Sequence, residues 1–427
     1  MPQKTTASAP DSAALGSAAP DSAASTTVPA PAPGARTHRL VPSPAGRIHL
    51  VEQGSGPLVL LVHGFPESWY SWRHQLPALA AAGYRAVAID VRGYGRSSRP
   101  SAVEAYRMLD LVADNVAVVE ALGEESAVIV GHDWGATIAA TSALLRPDVF
   151  HAVALLSVPY TPPGGPRPSE VFARMEGGMG GEAEHGTASE KEPSEEFQEF
   201  QEFQEVQEVQ EVQEVQEVQE VQEVQEVQEV QEVQEVQEVQ EVQEVQEVQE
   251  FYVSYFQRTG RAEAEIEPDV RGWLAGFYAA LSADTMPGAG APDPHFVGRG
   301  GTLRDRFPAD GRLPAWLGED DLDVYAAEFE RTGLTGALNR YRNMDRDWED
   351  LAGHTGAPIP QPSLFIGGTR DASTTWLADA IEAYPVTLPG LTAAHLLDGA
   401  GHFVQQERAE ETNHLLTTWL ASLTADR

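Results

Sequence analysis

Four runs of apolar residues, Leu58 to Val62, Ala86 to Ile89, Ala127 to Val130 and Val153 to Val158, constrain the fold of this chain more than any other feature of its sequence. The first three end in glycine-rich turns and are separated by segments with helical spacing, such as Leu109 to Leu122. A strand that is apolar at every position buries both faces, so the pattern predicts an α/β fold: a mostly parallel sheet covered by helices on both sides. Ahead of these runs, His38-Arg-Leu-Val and Arg47-Ile-His-Leu-Val-Glu predict two short strands joined by a Pro/Gly turn. Folded sequence is therefore expected to begin near Arg39.

The fourth run is followed by a Pro/Gly stretch, Pro159 to Pro168, and the strand pattern resumes only at Ser363 to Gly367 and at His395 to Leu397. The residues between are expected to form an insertion into the sheet domain, helical at Val270 to Leu281 and Asp320 to Tyr341. This divides the chain into a core, residues 39–159 and 356–427, and a helical cap region, residues 160–355. Residues 1–38, rich in Ala, Pro, Ser and Thr, are expected to be a disordered tail.

Inside the cap region lies a low-complexity tract, residues 197–250, that repeats Phe-Gln-Glu and then Val-Gln-Glu. Three residues turn an α-helix by about 300°, so successive valines are displaced by about 60° and no apolar stripe forms. Strand alternation needs a period of two, which the tract also lacks. Val is a poor helix former, and Glu residues three apart repel one another. A solvated fraying helix or a disordered loop is the expectation; a partner-binding or scaffolding segment is the alternative.

The tract carries 18 glutamates of a formal net charge of −37, leaving −19 elsewhere. That acidity disfavours binding to nucleic acid or anionic lipid. With no cysteine, disulfides, thiolate metal sites and a Cys nucleophile are excluded. No stretch reaches the roughly 18 apolar residues of a membrane span, and the N-terminal residues lack a secretory apolar run. The expectation is a cytoplasmic protein without membrane or nucleic-acid partners. The oligomeric state is not encoded in any motif.

The sequence Val130-Gly-His-Asp133-Trp134-Gly-Ala136 joins an apolar strand to the helical segment Ala136 to Leu145. Strand, tight turn and helix make a nucleophile elbow, in which small residues at 131 and 135 let two backbones approach and push the central side chain out. Here that side chain is Asp133. After an earlier strand comes Leu61-Val-His-Gly-Phe65-Pro66, the loop that in such folds supplies one oxyanion N–H, the other coming from the residue after the nucleophile. Phe65 and Trp134 are the resulting candidates, through their backbones. A third motif, Leu397-Asp-Gly-Ala-Gly-His402-Phe403, puts His402 in a glycine-rich turn after the last strand. His63, His132 and His395 lack such a turn and are expected to be structural. Asp371, the first carboxylate after the strand Leu364 to Gly368, is the expected partner of His402, because Leu155 to Tyr160 offers none. Asp345, Asp347 and Asp350 in the cap are expected to be solvated or ion-paired.

With Asp as nucleophile, His63-Gly-Phe-Pro-Glu-Ser-Trp69 upstream and Gly401-His-Phe-Val-Gln-Gln-Glu407 downstream, the chain resembles the soluble epoxide hydrolases of the α/β-hydrolase superfamily. The likeness spans about residues 39 to 425, apart from the triplet tract. It implies that Tyr252 and Tyr341, in Tyr252-Val-Ser-Tyr-Phe-Gln and Leu338-Asn-Arg-Tyr341-Arg-Asn-Met, hold and protonate the epoxide oxygen, while Tyr255 packs. It also implies a substrate pocket walled by Phe65, Trp69, Trp134, Tyr252 and Tyr341, with an epoxide and water as reactants. No cofactor or metal is expected, and no metal-ligand spacing such as His-Glu-x-x-His occurs. The alternatives are a haloalkane or fluoroacetate dehalogenase with the same Asp nucleophile and, from another class, a catalytically silent small-ligand binding protein.

Overall fold

A computed structural model describes residues 34–177, 249–288, 291–298 and 300–425. The readings of residues 1–33 and of the tract up to Val248 lie outside the described residues. The first strand starts at Thr37, slightly ahead of the expected position.

Eight strands form the sheet: β1 Thr37–Ser43, β2 Gly46–Gly54, β3 Leu58–Val62, β4 Arg85–Ile89, β5 Ala127–His132, β6 Phe150–Leu156, β7 Ser363–Gly368 and β8 Leu391–Leu397. Their order is β1-β2-β4-β3-β5-β6-β7-β8. β2 is antiparallel to both β1 and β4; every other pairing is parallel. β3 shows why the central strands are apolar throughout. Leu58, Leu60 and Val62 enter one buried cluster, while Val59 and Leu61 enter the cluster on the opposite face. The helices Met108–Ala121 and Trp134–Leu145 cover the first face, and Gln75–Ala81 and Ala409–Ala425 cover the second.

β6 and β7 are neighbours in the sheet although more than 200 positions separate them, so all the chain between them is an excursion from one sheet edge. The expected helix Val270–Leu281 is present with those limits. The expected helix from Asp320 to Tyr341 is instead broken. Glu319–Thr332 stops at Gly333, which takes φ 69°, and the chain continues through short turns at Thr335–Leu338 and Tyr341–Asn343. The break re-aims the chain so that Tyr341 enters the site described below. Among the described residues, no helix is long and apolar enough to cross a membrane.

The two ends of the stretch lying outside the description meet. The Phe251 N–H donates to Glu176 Oε1 at 3.1 Å, the Phe172 and Phe251 rings lie 5.5 Å apart, and Glu250 pairs with Arg258 and Arg261.

Candidate active site

Asp133 sits between β5 and the helix Trp134–Leu145 with φ 54° and ψ −125°, a region that non-glycine residues rarely occupy. The turn is tight enough to dictate its neighbours. A Cβ on Gly131 would lie 1.9 Å from the Gly135 carbonyl oxygen, and one on Gly135 would lie 2.0 Å from that of Val62. A Cβ on Gly64 would lie 2.2 Å from Asp133 Oδ1, so the oxyanion loop also needs glycine there. With that space open, the Phe65 N–H donates to Asp133 Oδ1 at 2.8 Å. The Phe65–Pro66 peptide is cis. Trp134 opens the helix, so its N–H has no intrahelical acceptor.

His402 approaches from the loop after β8, its Nε2 3.5 Å from Asp133 Oδ2 and its Nδ1 3.1 Å from Asp371 Oδ1. Asp371 follows β7 at the start of a helical turn, where it also accepts from the Ser373 N–H at 3.0 Å. Burial opposes ionisation of Asp371, but the adjacent His402 together with the hydrogen bonds from Ser157 and Ser373 holds the carboxyl below its usual range. Burial likewise opposes charge on His402, yet Asp371 and Asp133 on either side raise it well above an ordinary histidine.

From the cap, Tyr252 and Tyr341 close over Asp133. Their rings are 6.3 Å apart, and Phe65, Tyr252, Tyr341, Asp133 and His402 line one cavity together with Phe277 and Leu303. Both phenols are raised above their ordinary range, by burial first; for Tyr252 the next cause is the negative charge of Asp133, and for Tyr341 it is Tyr252 and then Asp133. Both are therefore proton donors at neutral pH. Among the described residues no carboxylate or carbonyl accepts from either hydroxyl, whereas the Tyr255 hydroxyl is spent on Glu265. A larger cavity of about 250 Å³, lined also by Arg370, Asp371 and Trp376, shares Ala280, Leu281, Pro294, His295 and His402 with the first.

A family model described as the alpha/beta hydrolase fold matches residues 57–216. Epoxide hydrolase B of Mycobacterium tuberculosis is 37% identical over 421 residues, covering 91% of this chain and 99% of its own. This chain belongs to the epoxide hydrolases of the α/β-hydrolase superfamily. Two solved epoxide hydrolases agree in fold. One from an endophytic Streptomyces is 58% identical with a TM-score of 0.73, covering 91% of this chain and 96% of its own. Epoxide hydrolase A from Mycobacterium thermoresistibile is 36% identical with a TM-score of 0.68, covering 91% and 98%.

Two expected pocket walls of this epoxide hydrolase stand elsewhere. Trp69 packs against the cluster on the opposite face of the sheet, edge-on to His38 and Tyr70, and its N–H donates to Asp90 at 3.0 Å. Pro66, Glu67 and Ser68 separate it from Phe65, and it opens the short helical turn Trp69–Trp72 away from the cavity, so its place among the substrate contacts is corrected. Trp134 is nearer but stands behind the lining, its ring edge-on to Tyr341 at 5.2 Å and 4.9 Å from the Arg340 guanidinium. The cap aspartates are ion-paired as expected: Asp345 with Arg167, Asp347 with Arg340, and Asp350 with Arg107.

The sequence reading missed the hydrogen-bonded support beneath the site. Glu67 is buried and accepts from the Gly64 N–H, from His132 Nδ1 and from the side-chain amides of Gln405 and Gln406. His132 Nε2 faces the His402 carbonyl oxygen at 2.8 Å. Both ring nitrogens of His132 thus face acceptors, the Glu67 carboxylate on one side and the His402 carbonyl on the other. Burial alone would raise the Glu67 pKa, but His132 brings it down to about 2. Glu407 accepts from the N–H groups of Gly401 and Phe403, bracketing His402. Glu67 and Glu407 belong to the two motifs that carried the resemblance, and the burial of Glu67 and the hydrogen bonds both residues accept are the signal that sequence alone does not contain.

Proposed function

We propose that the chain hydrolyses epoxides to vicinal diols through a hydroxyalkyl ester on Asp133. The observation that carries this reading is the placement of one carboxylate between a backbone N–H donor, a histidine base and two phenols, Tyr341 buried and Tyr252 half-buried, in a single cavity. Asp133 Oδ2, the oxygen not held by Phe65, attacks one epoxide carbon. The C–O bond of the strained ring breaks as Tyr252 and Tyr341 donate hydrogen bonds to its oxygen, and one phenol delivers the proton. Asp133 Oδ1 remains as the ester carbonyl oxygen.

The second step follows from the electrostatics. Asp133 helps to hold His402 protonated in the free site, and esterification removes that negative charge. The imidazolium then loses support for its charge and gives up its Nε2 proton, which restores the phenol spent on the alkoxide, and the neutral imidazole accepts a proton from the attacking water. Water attacks the ester carbonyl carbon, the oxyanion forms on Oδ1 against the N–H groups of Phe65 and Trp134, and the diol leaves as Asp133 is regenerated. Asp371 stabilises the imidazolium meanwhile. A halide leaving group would favour an N–H donor where Phe65 presents only a hydrocarbon ring, and it would give the two phenols no alkoxide to protonate.

The test is incubation with aryl and alkyl epoxides, chloroalkanes and fluoroacetate, scoring diol and halide release beside an Asp133→Ala control. Diol formation that drops by about 10⁴-fold or more in the control is expected. Halide release without diol would move the assignment to a dehalogenase, and turnover that survives Asp133→Ala would overturn the nucleophile.

A further inference from the structure

The chain has two non-glycine residues with positive φ among those described: Asp133 at 54° and Ser157 at 71°. Strained backbone persists where the surroundings enforce it, so the second outlier calls for a reason as much as the first. Ser157 directly follows β6, and the Val158 N–H bonds back to the Leu156 carbonyl at 2.9 Å, closing a three-residue turn of the rare left-handed kind about Ser157. The residue is fully buried. Its hydroxyl lies 2.6 Å from Asp371 Oδ2 and 3.0 Å from His402 Nδ1. Both outliers of the described chain thus face the same histidine, from opposite nitrogens.

Proton bookkeeping fixes the direction of these bonds. An ionised Asp371 only accepts, so the single Ser157 hydroxyl proton goes to Oδ2, and a lone pair of Oγ is left facing Nδ1. The Nδ1 proton is then shared between Ser157 Oγ and Asp371 Oδ1, which stand at similar distances. One acceptor leaves an imidazole free to swing about the donor–acceptor line, whereas two on different elements set its plane. Thr374 ties the arrangement together, its hydroxyl 3.0 Å from the Ser157 carbonyl and 3.2 Å from Asp371 Oδ2.

We propose that Ser157 is a positioning residue for the ester-hydrolysis half of the reaction, orienting His402 and Asp371 together so that Nε2 presents its lone pair to water beside Asp133. This rests on the reading of Asp133 as nucleophile and His402 as base. Ester formation needs no proton transfer to His402, so the role belongs to the second step alone.

The experiment is a single turnover with an aryl epoxide, quenched in acid and followed by intact-protein mass spectrometry, on the parent enzyme, Ser157→Ala and Ser157→Gly. Glycine adopts positive φ without penalty, so it removes the hydroxyl while relieving the backbone, and it carries the test if the alanine variant folds poorly. Both variants are expected to lengthen the ester lifetime by about 10- to 100-fold, below the 10²–10⁴-fold that a general base contributes. kcat/KM, which counts only the steps up to ester formation, should stay within about threefold. Ester lifetimes within about twofold of the parent, or a kcat/KM that falls as far as kcat, would overturn the proposal. If no ester with the parent enzyme forms at all, the reading of Asp133 fails, and the role of Ser157 fails with it.

Discussion

The core side of the site and its cap side are held in place by different physics. On the core side, Asp133, His402 and Asp371 sit on loops cross-linked by hydrogen bonds to carboxyl groups: buried Glu67 joins the oxyanion loop, His132 and the glutamines after His402, and half-buried Glu407 brackets His402 itself. On the cap side, Tyr341 is fixed by rings, with Phe65 at 5.4 Å, Phe256 at 5.0 Å and Trp134 at 5.2 Å, each edge-on or steeply inclined. Tyr252 has similar ring neighbours in Phe251 and Phe256. A charge removed from water needs partners with directional bonds, whereas a phenol needs only walls that leave its hydroxyl free. The core side should therefore tolerate almost no change in its support. The cap side should lose chemistry without losing structure.

The sharpest way to break this contrast is Glu67→Gln. With Glu67 and His132 both buried, the substitution takes the carboxylate from its four donors, Gly64, His132, Gln405 and Gln406, and an unfolding free energy lower by about 3–5 kcal/mol is expected by urea denaturation. The same pair has a pH signature. The folded-state pKa of Glu67, about 2, lies below the ordinary value of 4.5, so its stabilisation is complete above pH 4.5 and is lost as pH falls toward 2. Stability measured across that window should fall less steeply in Glu67→Gln than in the parent; equal slopes would mean that the pair contributes nothing there.

Next in size are the phenols. Tyr252→Phe and Tyr341→Phe should each lower the rate of ester formation by about 10- to 100-fold, and more when combined, with the melting temperature almost unchanged. A large loss of stability would show that ring packing is not the whole of their support. Smaller still is the effect of deleting residues 197–247, which leaves Glu250 and its arginine partners in place. Because Glu176 and Phe251 already meet, kcat and KM should stay within about threefold. The smallest effect belongs to Trp69→Phe on the far face of the sheet, where kcat/KM should change by less than about twofold.

The parts of the site that were legible in the sequence are those written in consecutive residues. Gly131 to Gly135 and Gly401-His402 announce tight turns, because only small residues permit the backbone contacts seen there. Tyr252 and Tyr341 were nominated only through the likeness of their local contexts, since nothing in a cap helix distinguishes a phenol that faces a cavity from a packed one; Tyr255, three residues from Tyr252, turns its hydroxyl to Glu265. Trp69 was misplaced for the complementary reason. Its motif is contiguous with Phe65, but the short helical turn from Trp69 to Trp72 carries it to the other face.

From the sequence alone came the parallel α/β sheet, the excursion between β6 and β7, and the nomination of Asp133, His402 and Asp371 as neighbours in one site, because strand periodicity and turn chemistry are properties of neighbouring residues. Only the tertiary structure decided that Glu67 is a buried anion beneath three loops and that Gly333 breaks the helix leading to Tyr341. It alone also set the Ser157 hydroxyl against a histidine 245 positions away. Those facts depend on strand order and on what is excluded from water, and neither is a local property of the chain.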